Sequence, residues 1–480
     1  MRMNESDKVD VAAVRSVLEA HGQGHLLAFW DRLDESQRRG LLADIASLDP
    51  DEVDIWVEQC VKNVDNSGIC GEIGPAEFYA AQPQDPGQQA KYADARRLGE
   101  KLISEGKVAA FVVAGGQGTR LGFDGPKGDF PISPIHHKTL FRIFAETVLA
   151  ANKKYQTSCP WYVMTSPLNH VRTVEIFENN DYFGLAKGDV VIFQQGTMPN
   201  FSFDGKILLA DQGAIARSPD GHGGSLKALK TTGALEDMTR RGIEVISYWQ
   251  VDNPLVNIFD PLFVGLHAMH GAEMSSKALK KSGPSEKVGN FCLLDGKLTV
   301  IEYSDLPDEL AEKQNPDGSL VFELGSIAIH MINVSFVERL NEHGFALPLH
   351  RAVKKIPCID DAGKAIDPSG PNGVKLETFI FDALPLASKS IILETIRSEE
   401  FAPVKNATGV DSAEVTHRMM IERAASWLES AGVSVPRKKE DDSPDCVIEM
   451  APGFALHRED VAGKTDQVQE IAPGSEVYLP

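Results

Sequence analysis

The chain has 480 residues, of which 42% are hydrophobic and 24% are charged, so it is long enough to bury a large core and to form two or three domains. Its formal net charge of −21 argues against binding nucleic acid or an anionic membrane through overall charge, and we expect neither as a partner. An anionic small-molecule substrate would instead need a local basic pocket.

The six cysteines lack the close spacing of a zinc site or a disulfide framework. The first residues are polar, and no apolar run approaches the roughly 18 residues that span a bilayer. We therefore expect a protein of a reducing compartment, the cytoplasm, without a secretion signal or a membrane anchor.

The N-terminal part of the chain has a helical pattern. Apolar residues recur at helical spacing from Val9 to about Lys62, which predicts a small helical cap. Gly, Pro and Gln are frequent between Gly68 and Gln89, so this segment is interpreted as a linker. An amphipathic helix is predicted from there to Ser104.

Short apolar runs then alternate with helical segments. Strands are predicted at residues 108–114, 161–165, 190–194 and 245–251, and helices near residues 168–179 and 225–241. This alternation predicts a doubly wound α/β sheet, in which ligands bind beyond the carboxyl ends of the strands. A glycine-rich loop and Asp252 both fall at such ends, so we expect them to face one cleft.

The pattern changes after about Asn290. Alternating strands, among them residues 298–303 and 320–322, predict an antiparallel extension, and a helix with short strands follows from about Val404. We therefore expect a helical N-terminal region over residues 1–100, a central α/β domain over residues 101–400 and a small C-terminal domain over residues 401–480.

The glycine-rich loop follows the first predicted core strand and reads Ala114-Gly-Gly-Gln-Gly-Thr-Arg-Leu-Gly-Phe-Asp-Gly-Pro-Lys127. Its glycines allow backbone N–H groups to approach a phosphate. It does not fit a dinucleotide-binding fingerprint, because the third glycine, Gly122, comes one position too late. It does not fit a P-loop either, because Lys127 is followed by glycine instead of Ser or Thr.

Two cations, Arg120 and Lys127, lie in this loop, and Pro126 limits its conformations. Such a loop suits nucleotidyl transfer, in which a phosphate attacks the α-phosphorus of a nucleoside triphosphate and both reactants are polyanions. Fixed cations and backbone donors offset the repulsion, and losing one well-placed donor costs on the order of 10² to 10³ in rate. A solvated glycine-rich turn is the alternative interpretation.

The loop resembles the signature of the eukaryotic-type UDP-sugar pyrophosphorylases, most closely their acetamido-sugar branch, and the resemblance covers about residues 102–406. Further blocks carry it: Phe193-Gln-Gln-Gly196, Ser202-Phe-Asp-Gly-Lys206, Pro219-Asp-Gly-His-Gly-Gly224, Val251-Asp-Asn253, Val300-Ile-Glu-Tyr-Ser304, Asn372-Gly-Val-Lys-Leu-Glu-Thr-Phe-Ile-Phe-Asp382 and Phe401-Ala-Pro-Val-Lys-Asn406. It implies a doubly wound mixed sheet of the nucleotidyltransferase type, GT-A-like and Rossmann-like, with residues 101–400 as the catalytic domain.

The resemblance also implies a reaction. UTP and N-acetylglucosamine 1-phosphate would give UDP-N-acetylglucosamine and pyrophosphate, with Mg²⁺ as cofactor. A UTP:glucose-1-phosphate or broad hexose-1-phosphate uridylyltransferase is the alternative within the class. A catalytically silent nucleotide-sugar-binding protein is the alternative from another class, although it need not retain Arg120, Lys127 and Asp252 together.

Four positions match residues that hold the nucleotide in this family. Gly115 and Gly116 would hold the uracil and ribose, and the amide of Gln195 would offer a donor and an acceptor to the uracil edge. Gly221 belongs to a second tight loop that would approach the nucleotide.

Four other positions match residues at the phosphates. Arg120, Lys127 and Lys405 would be catalytic and would steer the in-line attack. Asp252 would bind the nucleotide through Mg²⁺, an ion that prefers a few carboxylates together with phosphate oxygens.

The remaining positions bear on the sugar 1-phosphate. Gly289 and Glu302 match residues that contact the sugar ring, and Lys375 matches a lysine near the phosphates. The chain departs from the acetamido-sugar branch at His222, where that branch has asparagine and glucose-type relatives have histidine. It departs again at Ser326, where the branch has the asparagine of a Gly-Asn pair. Both substrate-binding positions are expected near the sugar, so a different or broader sugar choice stays open.

Overall fold

The computed structural model describes residues 10–62 and 69–480, and the chain divides into two compact units. The larger unit comprises Ile69–Gln195, Ser225–Ala346 and Ile380–Pro480. The smaller unit comprises Met1–Gly68, Gly196–Gly224 and Leu347–Phe379. The two units interleave along the chain, and the division into residues 1–100, 101–400 and 401–480 stays a prediction.

A ten-stranded mixed sheet forms the centre of the larger unit. Four neighbouring strands of this sheet are parallel, in the order Val245–Gln250, Val108–Val113, Trp161–Thr165 and Val190–Gln194. All five residues of the third of these strands are buried, as expected for a parallel strand that is covered on both faces. The prediction of a doubly wound α/β sheet is therefore confirmed.

An antiparallel strand, Leu324–Asn333, pairs with Val245–Gln250 and makes the sheet mixed. The other strands of this sheet are Ile73–Pro75, Met274–Lys280, Asn290–Leu294, Lys297–Ile301 and Ser390–Glu394. The hairpin that begins at Asn290 pairs antiparallel along its whole length. The antiparallel extension predicted after Asn290 is thus confirmed.

Ten α-helices contribute to the larger unit as the structure describes it. They are Pro86–Ser104, Leu140–Tyr155, His170–Asn179, Gly224–Thr231, Ala234–Arg241, Pro261–Met269, Asp308–Ala311, Val334–Leu340, Arg397–Glu400 and Ala413–Ser430. One helix was predicted over residues 225–241, but the structure has two. Gly233 separates them with a φ of +82°, a left-handed conformation that glycine adopts without steric cost.

The predicted linker between Gly68 and Gln89 is wrong from Ile73 onwards. Strand Ile73–Pro75 pairs with the hairpin at the edge of the main sheet. Further along, the N–H of Tyr79 donates to the carbonyl oxygen of Ile392 at 2.8 Å. An edge strand tolerates proline and glycine because one side of its backbone has no ladder partner to lose. Gly68 itself lies outside the described residues.

The strand predicted over residues 320–322 is also wrong, since these residues form the loop that precedes the long strand Leu324–Asn333. Leu320 makes a single bridge to Gln314. Phe322 is buried in a small apolar cluster that also contains Leu306. The apolar residues here pack in a local cluster and do not belong to a paired strand.

The smaller unit begins with helices, as predicted. They are Val11–Ala20, Glu35–Ala46, Pro50–Trp56 and a π-helical turn over Val57–Lys62. An aspartate precedes each of the first three, and its side chain accepts a backbone N–H of the first turn; these aspartates are Asp10, Asp34 and Asp49. The predicted starting residue Val9 lies outside the described residues.

Short strands complete the smaller unit. A three-stranded antiparallel sheet has the order His350–Lys354, Gly373–Glu377 and Phe201–Ser202. The two-stranded pairs are Thr197–Pro199 with Arg217–Pro219, Leu209–Asp211 with Ala214–Ile215, and Cys358–Ile359 with Ala365–Ile366. One apolar core joins the helices to these strands, and it includes Leu26, Phe201 and Leu376.

The C-terminal part of the larger unit has an apolar cluster of its own. Helix Ala413–Ser430 packs there with a parallel pair of strands, Val447–Met450 and Glu476–Leu479. Among the helices that the structure describes, none combines the length and the apolar character needed to cross a membrane.

Two glycines allow helix Pro86–Ser104 to lie directly against helix Pro261–Met269. A Cβ on Gly99 would overlap the carbonyl oxygen of Pro261, and a Cβ on Gly265 would overlap that of Ala95. The two backbones therefore touch where both side chains are missing.

We expect Gly99→Ala to lower the free energy of unfolding by about 1–3 kcal/mol, because the added methyl group forces two backbones apart. Gly40→Ala is the matched control, since Gly40 is an exposed helical glycine and a Cβ on it would meet nothing within 4 Å. The control should instead raise the free energy of unfolding by about 0.5–1 kcal/mol. Urea unfolding followed by circular dichroism measures both, and equal stability of the two variants would contradict the close approach.

Candidate active site

The glycine-rich loop folds back on itself where it leaves the first parallel strand. The N–H of Lys127 donates to the carbonyl oxygen of Gly116 at 3.0 Å, and the N–H of Gly118 donates to that of Gly125 at 2.9 Å. A Cβ on Gly118 would lie 2.7 Å from the ring of Phe123. The loop therefore has a shape that is set by its own backbone and that excludes a side chain at this glycine.

A buried asparagine holds the start of the loop. The amide Nδ2 of Asn169 donates to the carbonyl oxygens of Ala114 at 2.9 Å and Gly116 at 3.2 Å. Its Oδ1 accepts the N–H of Ser166 at 2.9 Å, and the hydroxyl of Ser166 donates to the carbonyl oxygen of Gly115 at 2.8 Å. Sequence reasoning missed Asn169, and its signal is weak: a polar residue shortly after the end of a buried strand.

The four charged residues predicted for the phosphates share one electrostatic environment. Lys127 is only 8% exposed, and burial lowers the pKa of its ammonium group. The carboxylate of Asp252 acts to raise that pKa, while the cations Arg120 and Lys405 act to lower it. The other three charges therefore influence the titration of Lys127, and backbone hydrogen bonds bring the segments that carry them together. The structure thus brings Arg120, Lys127, Asp252 and Lys405 together.

Backbone hydrogen bonds join the segments that carry these charges. The N–H of Val404 donates to the carbonyl oxygen of Asp252 at 2.8 Å, which places Lys405 directly after that contact. The N–H of Ala407 donates to the carbonyl oxygen of Arg120 at 3.0 Å. Three segments that are distant in sequence are therefore fixed to one another independently of their side chains.

Two of the residues predicted for the uracil are in contact. A Cβ on Gly115 would lie 2.6 Å from Oε1 of Gln195, so the amide of Gln195 occupies the space beside this glycine. Gln195 is 8% exposed, and its N–H donates to the carbonyl oxygen of Thr165 at 2.8 Å. Gly116 differs, because a Cβ on it would meet nothing within 4 Å. The arrangement offers a fixed amide beside an open stretch of backbone.

Three residues predicted for the sugar also lie together. The N–H of Ser326 donates to the carbonyl oxygen of Gly289 at 2.8 Å. A Cβ on Gly289 would lie 3.8 Å from Oε1 of Glu302 and 2.5 Å from Cγ1 of Val300. The group therefore places Ser326 and the carboxylate of Glu302 around a glycine whose missing Cβ makes room for the side chain of Val300.

A buried lysine near this group was absent from the sequence prediction. Lys281 is 9% exposed, and its Nζ donates to Oδ1 of Asn290, the residue after Gly289, at 2.5 Å. Burial lowers the pKa of Lys281. The sequence signal for Lys281 was the Lys280-Lys281 pair at a strand end. Because side chains alternate between the two faces of a strand, the first lysine is exposed and the second points inward.

The loop around Gly221 belongs to the smaller unit and is fixed by the end of strand Gly373–Glu377. The N–H of Thr378 donates to the carbonyl oxygen of Asp220 at 2.8 Å. Gly221 has a φ of +84°, and a Cβ on it would overlap the carbonyl oxygen of Thr378. Only glycine fits this turn without displacing the neighbouring strand end, and its role at the nucleotide stays a prediction.

His222 follows in the same loop and stacks on an aromatic ring. Its ring centroid lies 5.3 Å from that of Phe379 at an interplanar angle of 19°, and Phe379 stacks in turn with His350 at 4.3 Å. Burial, followed by the nearby His350, lowers the pKa of His222 to about 4. The imidazole is therefore neutral at pH 7, and it can donate one hydrogen bond and accept another.

Lys375 lies in the smaller unit among other cations. Its Nζ donates to Oε2 of Glu377 at 3.2 Å. Together with Arg217, Lys354 and Lys355 it lines a cavity of about 380 Å³. The position of Lys375 near a phosphate stays a prediction.

The predicted magnesium ligand Asp252 is a single carboxylate just past the end of strand Val245–Gln250. Among the described residues, no group of three or more His, Cys, Asp or Glu side chains could hold a metal ion. Mg²⁺ is commonly held by one or two carboxylates together with substrate phosphates and water, so this donor set fits it.

Known proteins share this architecture and much of the sequence. Residues 79–464 match the family model described as UTP–glucose-1-phosphate uridylyltransferase. The chain is 35% identical over 448 residues to UDP-N-acetylhexosamine pyrophosphorylase-like protein 1 of Xenopus tropicalis, covering 90% of this chain and 87% of that relative. It is 36% identical over 432 residues to UDP-N-acetylglucosamine pyrophosphorylase of Saccharomyces cerevisiae, covering 86% of this chain and 90% of that relative.

A solved structure extends the likeness to the whole fold. The uridine diphosphate N-acetylglucosamine pyrophosphorylase from Trypanosoma brucei, in complex with an inhibitor, has a TM-score of 0.81 and 26% identity to this chain, with 99% of each chain covered. The resemblance drawn from the sequence blocks is thereby confirmed. The chain belongs to the UTP–glucose-1-phosphate uridylyltransferase family of UDP-sugar pyrophosphorylases, which are nucleotidyltransferases.

Proposed function

We propose that this protein converts UTP and N-acetyl-α-D-glucosamine 1-phosphate to UDP-N-acetylglucosamine and pyrophosphate. A phosphate oxygen of the sugar 1-phosphate forms a bond to the α-phosphorus of UTP. The bond from the α-phosphorus to the oxygen of the leaving pyrophosphate breaks. The observation that carries this proposal is the set of backbone hydrogen bonds that join the segments of Arg120, Asp252 and Lys405 at the glycine-rich loop of Lys127.

Lys127 is the central cation of this group. Its ammonium has little contact with water, so its attraction to a phosphate is screened less than that of a surface lysine. The loop backbone already holds Lys127 in place, so little reorganisation is needed as charge develops on the pyrophosphate. Arg120 and Lys405 add positive charge, and together the three cations offset the repulsion between the two polyanionic reactants.

Asp252 would hold Mg²⁺, which when bound neutralises charge on the phosphates of UTP. The carboxylate has a second effect that does not depend on the ion: it opposes the loss of the proton from the buried Lys127. On the nucleotide side, Gly115 and Gly116 leave backbone exposed for the uracil and ribose, and Gln195 offers its amide to the base. In this proposal, the phosphates and the uracil of UTP bind at different ends of the glycine-rich loop.

The proposed sugar rests on the relatives. Those named above for acetamido sugars are 35% and 36% identical to this chain over most of its length. The glucose-type or broad hexose alternative rests on two departures, His222 and Ser326, at positions predicted near the sugar. We place the enzyme in the cytoplasm, because its six cysteines are all free thiols, as is usual for proteins of a reducing compartment.

The reaction is tested with purified protein, UTP, Mg²⁺ and a panel of sugar 1-phosphates that contains the N-acetylglucosamine, glucose and galactose compounds. Pyrophosphate release is measured for each, and we expect the acetamido sugar to give the largest kcat/KM. A much larger kcat/KM for glucose 1-phosphate would establish the alternative. If a folded protein that binds UDP-sugar released no pyrophosphate with any sugar, a silent binding protein would be the better description.

We expect Lys127→Ala to lower kcat/KM by about 10² to 10³, because it removes a preorganised cation from the charge that develops on pyrophosphate. Lys101→Ala is the matched control, since that lysine side chain is 67% exposed on a helix of the same unit. Steady-state pyrophosphate release measures both variants, and circular dichroism verifies that they are folded. Wild-type turnover in folded Lys127→Ala would remove this lysine from the mechanism.

The double variant His222→Asn/Ser326→Asn restores the residues of the acetamido-sugar branch at the two departing positions. We expect the ratio of kcat/KM for N-acetylglucosamine 1-phosphate over glucose 1-phosphate to rise about tenfold, because amides can donate to and accept from the acetamido group. Each single variant is measured beside the double one to separate the two contributions. An unchanged ratio in all three would mean that neither position selects the sugar.

A further inference from the structure

A charged side chain lies inside the main sheet of the larger unit. Lys277 occupies the middle of strand Met274–Lys280, is 1% exposed and is flanked by buried residues. Its Nζ donates to Oδ2 of Asp260 at 2.7 Å and to the two carboxylate oxygens of Glu400 at 2.5 and 2.6 Å. One buried ammonium thus joins two buried carboxylates from other segments.

The cluster carries charge in the folded protein. Burial alone would lower the pKa of Lys277, but the carboxylates of Asp260 and Glu400 outweigh it and raise this pKa above its ordinary value. Lys277 is therefore an ammonium ion at neutral pH. Buried ion clusters are often no more stabilising than apolar side chains of the same volume, so stability by itself gives little reason for one here. What such a cluster does add is a fixed geometry.

Asp260 anchors the cluster to the scaffold. Its Oδ1 accepts the N–H of Leu262 at 2.9 Å in the first turn of helix Pro261–Met269. Glu400 ends the short helix Arg397–Glu400, and its Oε2 also accepts the hydroxyl of Thr395 at 2.7 Å. The ammonium of Lys277 therefore ties the chain at Glu400 to a strand and a helix of the core.

Glu400 is also hydrogen-bonded to the segment that follows Asp252. Its Oε1 accepts the N–H of Asn257 at 3.1 Å, and its carbonyl oxygen accepts Nδ2 of Asn253 at 2.7 Å. Oδ1 of Asn253 accepts the N–H of Ala402 at 3.1 Å. Two stretches of chain are thus held side by side by one buried carboxylate and one buried amide.

These two stretches carry two of the proposed phosphate-site residues. Asp252 directly precedes Asn253, and its carbonyl oxygen accepts the N–H of Val404, which directly precedes Lys405. The relative position of the Asp252 and Lys405 backbones is therefore set by a network that includes the buried charges of Lys277 and Glu400.

We propose that Lys277 and Glu400 are positioning residues, which act through Asn253 to fix the geometry of Asp252 and Lys405 for uridylyl transfer. This inference rests on the proposed function, because it assigns those two side chains to the reacting phosphates. Lys277 and Glu400 are themselves buried in the scaffold and act only through the backbone that they hold. Their loss should therefore impair turnover more than the binding of UTP.

Three variants test the network: Glu400→Gln, Lys277→Met and the double variant. The glutamine keeps the size of the side chain and an acceptor for Asn257, and it removes the charge. We expect kcat to fall about 10- to 100-fold, the range for supporting residues around an active site, with KM for UTP within about twofold of wild type. The kcat of the double variant should be no lower than that of the worse single variant, because both substitutions disrupt the same hydrogen-bonded network.

Arg437→Met is the matched control. Arg437 bonds to Glu422 and Glu429 at 2.7 to 3.0 Å in the C-terminal part of the same unit, so its loss also removes a cation that joins two carboxylates, here in a partly exposed cluster. We expect this control to lower Tm while kcat stays within about twofold of wild type. If it lowered kcat as much as Glu400→Gln does, the effect would be general destabilisation and the positioning role would be overturned.

Asn253→Ala decides the matter if Lys277→Met does not fold. It removes the bonds to the carbonyl oxygen of Glu400 and to the N–H of Ala402 while the buried charges stay paired. It should lower kcat to the same extent as Glu400→Gln. If both variants were folded and kept the wild-type kcat, the positioning role would be overturned while the proposed function would stand. A wild-type enzyme that releases no pyrophosphate with any sugar 1-phosphate would overturn the proposed function, and this inference with it.

Discussion

The constraint on which the site depends is the burial of a lysine beside a carboxylate and two further cations. Removing the ammonium of Lys127 from water is unfavourable, and burial lowers its pKa. Asp252 offsets part of that effect, while Arg120 and Lys405 oppose it. Asp411 lies 3.7 Å from the Nζ of Lys405 and is a second carboxylate in this group, so three cations face two carboxylates and positive charge remains for a polyanion. The hydrogen bonds of Asn169 hold the start of the loop that carries Arg120 and Lys127.

Two buried lysines of the larger unit show how environment separates a supporting role from a chemical one. Lys277 faces two carboxylates at hydrogen-bonding distance, and its pKa is raised. Lys127 shares its environment with one carboxylate and two cations, and its pKa is lowered. The first environment supplies carboxylate partners for the ammonium within the protein. In the proposed function the second environment would receive the phosphates of the substrates, so the same residue type would support the structure in one place and bind substrate in the other.

Local sequence predicted those features that are encoded locally. Strands 161–165 and 190–194 were predicted at their observed bounds, because strands buried on both faces require continuous apolar runs. The edge strand Ile73–Pro75 and the loop over residues 320–322 were mispredicted, since their structure depends on a neighbouring strand and on a local cluster. The loop cations were identified from their motif. Asn169 and Lys277 were not identified, because the residues to which they are hydrogen-bonded lie 53 and 123 positions away in the sequence.

The two departures near the predicted sugar positions differ in physical character. The backbone N–H of Ser326 bonds to Gly289 whatever the side chain, so a change at Ser326 alters only the group that projects from the strand. The side chain of serine is shorter than that of asparagine and leaves more space at this position. We expect this space to weaken the selection between sugars and not to create a new preference. His222 is held in a stack with Phe379 and is neutral, so it offers a rigid donor and acceptor. In the proposed site, His222 would therefore be the position able to impose a preference, and Ser326 the one able to permit more than one sugar.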